Sequence, residues 1–467
     1  MNVRFRGIER VHFVGIGGSG MSGIAELLHN QGYTVTGSDV SEGPALARLR
    51  TLGVPVAIGH DAAQAADAHV VVVSSAIRSG NPEVAEAERR GIPVIPRAEM
   101  LAELMRLKHG IAVAGTHGKT TTTSLIAHVL ERAGLDPTAV IGGRVTFGGA
   151  ERSGAKLGAG PLLVAEADES DGSFLRLAPV IAVVTNVEPE HLDHYGSMQA
   201  LEDAFATFAN RVPFWGLAVL CLDHPGVQAL LPRLSRRVVT YGFSAQAELV
   251  AQEPEAAHWG MRFRVRRRGE PLGSVELPLH GRHNVQNALA ALAVALELSV
   301  PFPEAAAALA SFGGVERRFE TKGSVGAIRV VDDYGHHPSE IVATLAAARA
   351  IHSGRIVVVF QPHRYTRTRD LFDDFAAAFH DADRLVLTEI YGAGEPKIPG
   401  VEAEALAEAI AARGHRGVRF VRDLERVPAE LVPELRDGDL VLTLGAGSVG
   451  ALGPKLVAAL AEREAQR

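Results

Sequence analysis

The chain has 467 residues, of which 47% are hydrophobic and 22% are charged, so it is long enough for two to four domains with cores of their own. Its net charge of −7 argues against a nucleic-acid-binding protein that works through bulk positive charge. No apolar stretch approaches the roughly 20 residues that cross a bilayer, and the single cysteine excludes an internal disulfide framework. The sequence therefore predicts a cytoplasmic globular protein without nucleic-acid or membrane partners.

Short apolar segments alternate with alanine-rich segments along most of the chain, which is typical of an α/β protein whose parallel sheets are covered by helices on both faces. We divide the chain into three regions, residues 1–107, 108–313 and 314–467, because a new strand begins after residue 107 and a glycine pair ends the second region. The predicted strands include Arg10–Val14, Val70–Ser74, Ile111–Ala114, Leu162–Ala165, Ile181–Thr185, Leu217–Leu222, Ile328–Val331, Arg355–Phe360, Arg384–Leu387 and Leu440–Leu444.

One segment of the second region breaks this pattern. Met261–Arg268 alternates apolar residues with arginines, Gly269–Gly273 can turn, and Ser274–Leu279 resumes, as in an antiparallel hairpin. The arginines could instead form a patch for nucleic acid, but Phe263 is the one aromatic residue interleaved with them for stacking on a base. We therefore expect a strand face exposed to solvent.

The first strand leads into Gly15-Ile-Gly-Gly-Ser-Gly20, which fits the pattern G-x-G-x-x-G at the start of a helix. Glycines there let the backbone approach a pyrophosphate, whose charge is favoured by the helix N-terminus. Asp39 ends the next strand, about 20 residues on, where dinucleotide-binding folds contact a ribose hydroxyl. The motif does not distinguish NAD from a UDP-sugar, and a tight turn without a ligand is the remaining alternative. The predicted diphosphate-binding residues are Gly17, Gly18, Ser19, Gly20 and Asp39.

The second region begins with a glycine–lysine–threonine loop between an apolar strand and a helix. Backbone N–H groups of such a loop cradle phosphate oxygens, while Lys119 can reach the β- and γ-phosphates and the Thr120 hydroxyl can hold Mg²⁺. The usual spacing of P-loop NTPases would need glycine at position 113, which is Val113, so these proteins are not the best match. Since the chain has only six lysines, a lysine at this loop indicates a role in binding rather than a place on the surface. The predicted ATP-binding residues of this loop are Gly115, Thr116, His117, Gly118, Lys119, Thr120 and Thr121.

Two acidic loops follow the next strands of the second region. The first is Glu166-Ala-Asp-Glu-Ser-Asp171, and the second is Glu188-Pro-Glu-His-Leu-Asp-His194. Ligands in open α/β sheets gather at the carboxyl ends of strands, so both loops should face the ATP phosphates, where their oxygens suit Mg²⁺. Among the individual acids, we expect Glu169, Glu188 and Asp193 to be solvated loop residues.

Taken together, the motifs resemble those of the Mur ligase family. The resemblance is carried by the ATP loop, the Glu166–Asp171 loop, Gly281-Arg-His-Asn-Val-Gln-Asn287, Gly314-Val-Glu-Arg-Arg-Phe319, Asp332-Asp-Tyr-Gly-His-His-Pro338 and Gln361-Pro-His-Arg-Tyr-Thr-Arg-Thr-Arg369. It extends in order from the first glycine loop to Gly445-Ala-Gly-Ser-Val-Gly450, and so covers essentially the whole chain.

The family implies an α/β fold of three domains. These would be an N-terminal Rossmann-like domain for a UDP-substrate (1–107), a central P-loop-type ATPase with a mixed sheet (108–313) and a C-terminal Rossmann-like domain for an amino acid (314–467). The implied reaction joins the lactoyl carboxylate of UDP-N-acetylmuramate to L-alanine, consumes ATP and needs Mg²⁺. No lysine lies between Leu157 and Thr321, where the members that add later amino acids carry a carbamylated lysine, and this absence fits the addition of alanine.

The resemblance also implies roles for individual residues. Lys119 and Thr120 would hold phosphate and Mg²⁺, and Glu166 and His191 resemble the ligands of a second Mg²⁺. Glu190 stands where the family usually has aspartate, which adds a methylene before this histidine. The nucleotide contacts would be Asn284, Arg318 and Asp333, and the surface that meets the UDP-substrate and alanine would be His336, His337, His363, Arg364 and Arg367.

The chemistry of His363, Arg364 and Arg367 suggests a role for each of them. His363 is a candidate for the base that accepts the proton of the attacking amine. Arg364 and Arg367 are three residues apart, so on a helix they would share a face and could clamp the carboxylate of alanine. Alternatively, they form surface ion pairs with Asp370 or Asp373.

Three other functions stay open at this point. A recycling ligase that joins UDP-N-acetylmuramate to a preformed peptide would have the same fold and ATP chemistry. An NAD-dependent oxidoreductase would use the first glycine loop and Asp39 but would leave the ATP loop without a role. A non-catalytic sensor of UDP-sugar and ATP would bind both without turnover. For the assembly, we expect a monomer or a weak homodimer.

Overall fold

The computed structural model describes residues 5–74, 76–145 and 153–466. Strands and helices alternate along these residues and form three sheets, which confirms the α/β prediction with three sheet-containing regions. The chain divides into two compact units: the first reaches to Glu253 and adds Phe263–Glu276 and Gln286–Gly313, and the second consists of Pro254–Arg262, Leu277–Val285 and the chain from Gly314 onward. Every helix among the described residues is too short or too polar to cross a bilayer.

The first sheet is parallel. Its strands are β1 (Arg10–Val14), β2 (Thr34–Asp39), β3 (Val56–Ile58), β4 (Val70–Val73) and β5 (Val94–Pro96), and its helices are α1 (Ser19–Asn30), α2 (Pro44–Thr51), α3 (Pro82–Arg89) and α4 (Arg97–Arg106). The order β3-β2-β1-β4-β5 places β1 in the centre, covered on both faces. Its buried polar residue, His12, contacts the carboxylate of Glu83 at 2.8 Å and the hydroxyl of Thr36 at 2.8 Å. The first glycine loop thus leaves the middle of the carboxyl edge.

The second sheet has ten strands in the part of the chain that the structure describes. They are β6 (His109–Ala114), β7 (Thr138–Val145), β8 (Ser153–Lys156), β9 (Leu162–Glu166), β10 (Ile181–Val184), β11 (Leu217–Cys221), β12 (Val238–Gly242), β13 (Leu249–Ala257), β14 (Gly260–Arg267) and β15 (Glu270–Leu277). The helices are α5 (Lys119–Arg132), α6 (Leu192–Tyr195), α7 (Met198–Asn210), α8 (Pro225–Gln228), α9 (Arg282–Glu297) and α10 (Phe302–Ala310).

This sheet has the order β15-β14-β13-β12-β11-β10-β6-β9-β7-β8. The strands from β12 to β7 pair in parallel and β7 pairs antiparallel with β8, so the predicted mixed sheet is confirmed. In β14 the side chains of Met261, Phe263 and Val265 are buried and the arginines between them are exposed, which confirms the solvated face. Cys221 ends β11 and is buried, and burial raises the pKa of its thiol to about 12.

The third sheet belongs to the second unit. Its strands are β16 (Glu320–Val325), β17 (Ile328–Asp333), β18 (Ile356–Phe360), β19 (Arg384–Leu387), β20 (Val418–Phe420) and β21 (Leu440–Leu444). Its helices are α11 (Pro338–Ile351), α12 (Tyr365–Asp370), α13 (Phe372–Ala377), α14 (Ala403–Ala412), α15 (Val427–Leu431) and α16 (Leu452–Ala465). The order is β16-β17-β21-β18-β19-β20, and only the edge pair β16–β17 is antiparallel. Val358 packs into the core on one face and Val359 into the core on the other, as expected for a sheet covered on both sides.

Candidate active site

Four neighbouring strands of the second sheet carry the candidate site. In the order β11-β10-β6-β9, they are parallel, so their carboxyl ends meet at one edge. The ATP loop leaves β6, and the two predicted acidic loops leave β9 and β10 on either side of it. The structure therefore brings together, within the first unit, the three loops that the sequence predicted to face one another.

The ATP loop needs both of its outer glycines. Gly115 and Gly118 have φ angles of 135° and 80°, a region that side chains disfavour. A Cβ on Gly115 would overlap the hydroxyl of Thr185, and one on Gly118 would lie 2.8 Å from the side-chain oxygen of Asn287. Helix α5 begins at Lys119 directly after this turn, so the amides of its first turn have no helical carbonyl to bind.

Two other amides of the loop are already engaged. The N–H of Thr116 donates to the backbone oxygen of Asn186 at 3.2 Å, and that of His117 donates to the Asn186 side-chain oxygen at 2.7 Å. The carbonyl of His117 accepts from Thr185 at 2.6 Å. The two residues after β10 thus hold the first half of the loop, and we expect the amides of residues 118–121, at the N-terminus of α5, to bind phosphate oxygens.

Lys119 is folded back onto its own loop. Its Nζ lies 2.6 Å from the carbonyl oxygen of Gly115 and 2.9 Å from Oε1 of Glu169. Burial disfavours the ammonium, but the charges of Glu169, Asp168 and Glu166 outweigh burial and raise the pKa of Lys119. The lysine is therefore charged at all physiological pH values, as phosphate binding requires.

Glu169 corrects one of our predictions. The expectation of a solvated residue was wrong: the side chain is 2% exposed, and its Oε2 has no hydrogen-bond partner among the described residues. Burial raises the pKa of Glu169, Lys119 lowers it and Asp168 raises it, and together they place this pKa at about 7. The site carries more negative than positive charge, which favours the arrival of a cation.

Glu188 is a second correction. It is partly buried, and its carboxylate contacts Nε2 of His117 at 3.2 Å and Nε2 of His224 at 3.3 Å, so it is not simply a solvated loop residue. Its N–H also donates to the hydroxyl of Thr116 at 2.9 Å. Asp193, by contrast, is exposed as expected.

Thr120 and Glu166 fit a magnesium ion. The hydroxyl of Thr120 lies 3.0 Å from Oε2 and 3.2 Å from Oε1 of Glu166, and the N–H of Gly142 donates to the same carboxylate at 2.9 Å. A hydroxyl and a carboxylate beside a lysine that binds phosphate are the hard oxygen donors that Mg²⁺ prefers. His191 lies in the loop after β10 at the same edge, with φ of 57°, and its role as a metal ligand remains a prediction.

The first glycine loop has a different geometry. The amide of Gly17 donates to Oδ2 of Asp39 at 2.8 Å, and a Cβ on Gly17 would lie 2.8 Å from the same oxygen. Gly18 precedes α1 without a side-chain cap, and a Cβ on Gly20 would lie 2.7 Å from the guanidinium of Arg97. Asp39 and the loop are therefore adjacent, as a diphosphate–ribose site requires. Ser19 begins α1, and its side chain lies outside the described ones.

In the second unit, two of the predicted nucleotide contacts lie together. The carboxylate of Asp333 accepts from the amides of Phe319 at 2.7 Å and Gly335 at 2.8 Å, and burial raises its pKa while Arg318 opposes the shift. The guanidinium of Arg318 lies 5.1 Å from the ring centre of Tyr334. The third predicted contact, Asn284, donates to the carbonyl of His280 at 2.7 Å from the first turn of α9.

Two of the residues predicted to meet the UDP-substrate and alanine lie in a cluster of aromatic rings. His336 and His363 meet edge to face at 5.6 Å between ring centres, and Arg367 lies 3.2 Å from Nδ1 of His363. Tyr391, which the sequence analysis missed because no motif marks it, stacks on His363 at 5.7 Å and 16°. His337 instead caps helix α11 and is buried.

Arg364 differs from the helical interpretation. Helix α12 begins at Tyr365, and Arg364 precedes it with φ of 71°, so Arg364 and Arg367 do not share a helical face. The predicted alternative partners are also wrong, because Asp370 pairs with Arg369 and Asp373 with Arg413. The Nε of Arg364 lies 3.9 Å from Glu395.

The buried Glu169 predicts an unusual pH dependence of stability. The folded protein holds the proton of Glu169 up to about pH 7, whereas the unfolded chain releases it near pH 4.3, so the stability from this residue is complete below pH 4.3 and is lost as the pH rises through 7. The loss amounts to roughly 4 kcal/mol. Because Glu169→Gln cannot titrate, its Tm should match the parent at pH 5 and exceed it at pH 8, without nucleotide and with EDTA. Equal Tm differences at both pH values would contradict this assignment.

Comparison with known families identifies the class of protein. The model described as "Mur ligase family, catalytic domain" matches residues 10–109, "Mur ligase middle domain" matches residues 113–295, and "Mur ligase, glutamate ligase domain" matches residues 317–447. Together they cover most of the chain, which therefore belongs to the Mur ligase family.

Individual relatives narrow this class. A UDP-N-acetylmuramate–L-alanine ligase of Anaeromyxobacter sp. (strain Fw109-5) is 59% identical over 97% of this chain and 98% of its own length. One of Sorangium cellulosum (strain So ce56) is 58% identical over 96% of both chains. Among solved structures, the UDP-N-acetylmuramate–alanine ligase MurC of Thermotoga maritima superposes with a TM-score of 0.82 at 30% identity, over 98% of this chain and 100% of the other. A murein peptide ligase of Psychrobacter arcticus has a TM-score of 0.72 at 26% identity, over 97% and 99%.

Proposed function

We propose that the chain joins L-alanine to the lactoyl carboxylate of UDP-N-acetylmuramate in an ATP-dependent reaction that yields ADP and phosphate. This step belongs to the synthesis of peptidoglycan precursors. The observation that carries the proposal is the identity of 54–59% over nearly the full length with relatives that bear this activity in their names. The loop of Lys119 and Thr120, with Glu166 facing the threonine, supplies the chemistry that the activity needs.

The reaction requires activation of a poor acylating agent. An oxygen of the lactoyl carboxylate attacks the γ-phosphorus of ATP, the bond to the β-phosphate oxygen breaks, and ADP leaves. The amine of alanine then attacks the carbonyl carbon of the acyl phosphate, and phosphate leaves as the amide forms and the amine loses its proton. Each step accumulates negative charge on phosphate oxygens, which fixed cations and amides stabilise most strongly.

In this scheme, Lys119 leaves Glu169 and binds the β- and γ-phosphates, and the amides of residues 118–121 bind the remaining oxygens. Thr120, Glu166 and His191 would hold Mg²⁺, which when bound offsets the repulsion between the phosphates and the carboxylate. Gly17, Gly18, Ser19, Gly20 and Asp39 would bind the UDP moiety.

We also propose roles for the predicted residues of the second unit and for Asn284. Asn284, Arg318 and Asp333 would contact the nucleotide, His336 and His337 the UDP-substrate, and Arg364 and Arg367 the alanine carboxylate. His363 is held by Tyr391 and Arg367 and would accept the proton of the amine. We place the activity in the cytoplasm, in a monomer or weak homodimer with domain boundaries after residues 107 and 313.

Phosphate release tests the proposed function. With ATP and Mg²⁺, release should require both UDP-N-acetylmuramate and L-alanine, and mass spectrometry should find the amide product. Binding of ATP and UDP-N-acetylmuramate without turnover would instead support the sensor, and phosphate release that does not need both substrates would contradict the ligase. NAD binding detected by fluorescence would revive the oxidoreductase.

A competition assay separates the ligase from the recycling alternative. L-Alanine and a cell-wall tripeptide are supplied together at equal concentration, and the products are separated by mass. We expect the alanine adduct to dominate, because the relatives named for alanine addition are 54–59% identical to this chain, more than twice the 26% of the solved murein peptide ligase of Psychrobacter arcticus. Predominant tripeptide adduct would overturn the assignment of alanine.

A further inference from the structure

A chain of side chains reaches from the ATP loop to a histidine that no motif marks. His117 of the loop contacts Oε2 of Glu188 at 3.2 Å, and Oε1 of the same carboxylate contacts Nε2 of His224 at 3.3 Å. These three residues follow β6, β10 and β11, which are consecutive neighbours in the sheet. His224 therefore lies two strands away from the phosphate loop in the sheet, and the carboxylate of Glu188 connects it to that loop.

The geometry fixes which nitrogen of His224 donates. The N–H of Val187 points at Nδ1 of His224, at a long 3.4 Å, so Nδ1 accepts and the proton lies on Nε2. Nε2 can then donate to Glu188. His224 precedes helix α8, so its backbone is set by the end of β11 rather than by a free loop.

Glu188 in turn acts on the loop at two points. Its carboxylate contacts the imidazole of His117, and its N–H donates to the hydroxyl of Thr116. Thr116 and His117 also take their backbone partners from Asn186, two residues earlier. Any rotation of the Glu188 side chain therefore alters a contact of the loop segment that directly precedes Gly118 and Lys119.

We propose that His224 is a positioning residue for ATP, which acts through Glu188 on His117 of the phosphate loop. The proposal rests on the proposed function only in taking ATP as the ligand of this loop. All three side chains are partly buried, at 14%, 23% and 24% exposed, so their contacts are shielded but remain close to the space where phosphates bind. A fixed loop binds ATP equally in the ground state and the transition state, so loss of His224 raises KM for ATP and leaves kcat nearly unchanged.

The main experiment compares His224→Ala with His224→Gln. The alanine variant removes the donor to Glu188 and should raise KM for ATP about ten-fold, the scale of one hydrogen bond to a charged group, with kcat within two-fold. The glutamine variant retains an N–H donor and should recover most of the affinity. KM values for UDP-N-acetylmuramate and alanine should not move.

A double-mutant cycle tests the route through Glu188. If His224 acts through that carboxylate, the double variant Glu188→Gln/His224→Ala should bind ATP no more weakly than Glu188→Gln alone. If the two residues act independently, their fold-losses of affinity should multiply in the double variant. His128→Ala is the matched control, since Nε2 of His128 donates to the carbonyl of Ala308 at 2.9 Å, in the same unit but about two and a half turns along α5 from Lys119. It should leave KM for ATP unchanged.

Binding is also measured without turnover, by calorimetry with the magnesium complex of adenylyl imidodiphosphate. This readout does not depend on the acceptor substrates, so it separates failure of the His224 proposal from failure of the proposed ligase activity. Unchanged affinity in His224→Ala, multiplicative losses in the double variant, or an equal loss in His128→Ala would each overturn the proposal. If His224→Ala does not fold, the ATP affinities of Glu188→Gln and His224→Gln are compared instead. The proposal expects a loss of affinity in Glu188→Gln and little loss in His224→Gln, and unchanged affinity in Glu188→Gln would overturn it.

Discussion

Replacement of Lys119 by alanine should reduce ligation at least about 1,000-fold while the protein stays folded. The ammonium is the cation that the ATP loop itself provides for the transferring phosphoryl group, and removal of one such group costs on this scale. Lys119 binds Glu169 and two loop carbonyls, and Glu169, whose pKa is about 7, can hold a proton when the ammonium is removed, so we expect the fold to persist. Phosphate release at saturating substrates measures the loss, and circular dichroism checks the fold.

Lys156→Ala is the control for this variant. Lys156 also pairs with two acids, Glu131 at 2.7 Å and Asp136 at 2.9 Å, but it lies on β8 at the far edge of the same sheet. Its activity should stay within a few-fold of the parent. Near-normal turnover by purified Lys119→Ala would remove the ATP loop from the mechanism.

Replacement of Glu166 by glutamine should lower kcat about 100-fold or more and should raise the Mg²⁺ concentration needed for half-maximal activity. The amide keeps the shape of the side chain and can still meet the Thr120 hydroxyl, but it carries no charge to hold a divalent cation beside the phosphates. A titration of activity with Mg²⁺ at fixed ATP measures both effects. The combination separates a metal ligand from a residue that merely supports the loop.

The exposed acid Asp193 supplies the comparison for Glu166. Asp193→Asn removes one negative charge from the loop after β10 and should leave both kcat and the Mg²⁺ requirement at parental values. If Glu166→Gln shifted kcat without any change in Mg²⁺ requirement, its role would be to orient Thr120 alone.

The sequence was most informative where strands are long and buried. Arg10–Val14, Arg384–Leu387 and Leu440–Leu444 have the bounds that their apolar runs predicted, because such runs fit a parallel sheet covered on both faces. Strand β16 escaped prediction, since most of its residues are polar and partly or fully exposed at the edge of the sheet. Edge strands are stabilised by pairing with a neighbour, and that neighbour is not visible in their own residues.

The candidate site, like the fold, was predictable from the sequence only in part. Motif spacing predicted that Lys119, Thr120 and Glu166 share one edge of the sheet, because the loop before the first two follows β6 and Glu166 ends the neighbouring strand β9. It could not tell that Glu169 turns inward, since this depends on the bend in which Asp168 accepts from the amide of Ser170 and on the left-handed Gly172. Nor could it connect Glu188 with His224, which are 36 residues apart in the chain and meet only through the order of the strands.

Because its one cysteine, Cys221, is buried, the chain is suited to site-specific labelling at introduced cysteines. Cys221 is the sole thiol in 467 residues, and at a pKa of about 12 its reactive thiolate is almost absent at neutral pH. Maleimide dyes or spin labels can therefore be attached to introduced surface cysteines without first removing the native one. Pairs of such labels give access to distances in solution that change as each substrate binds.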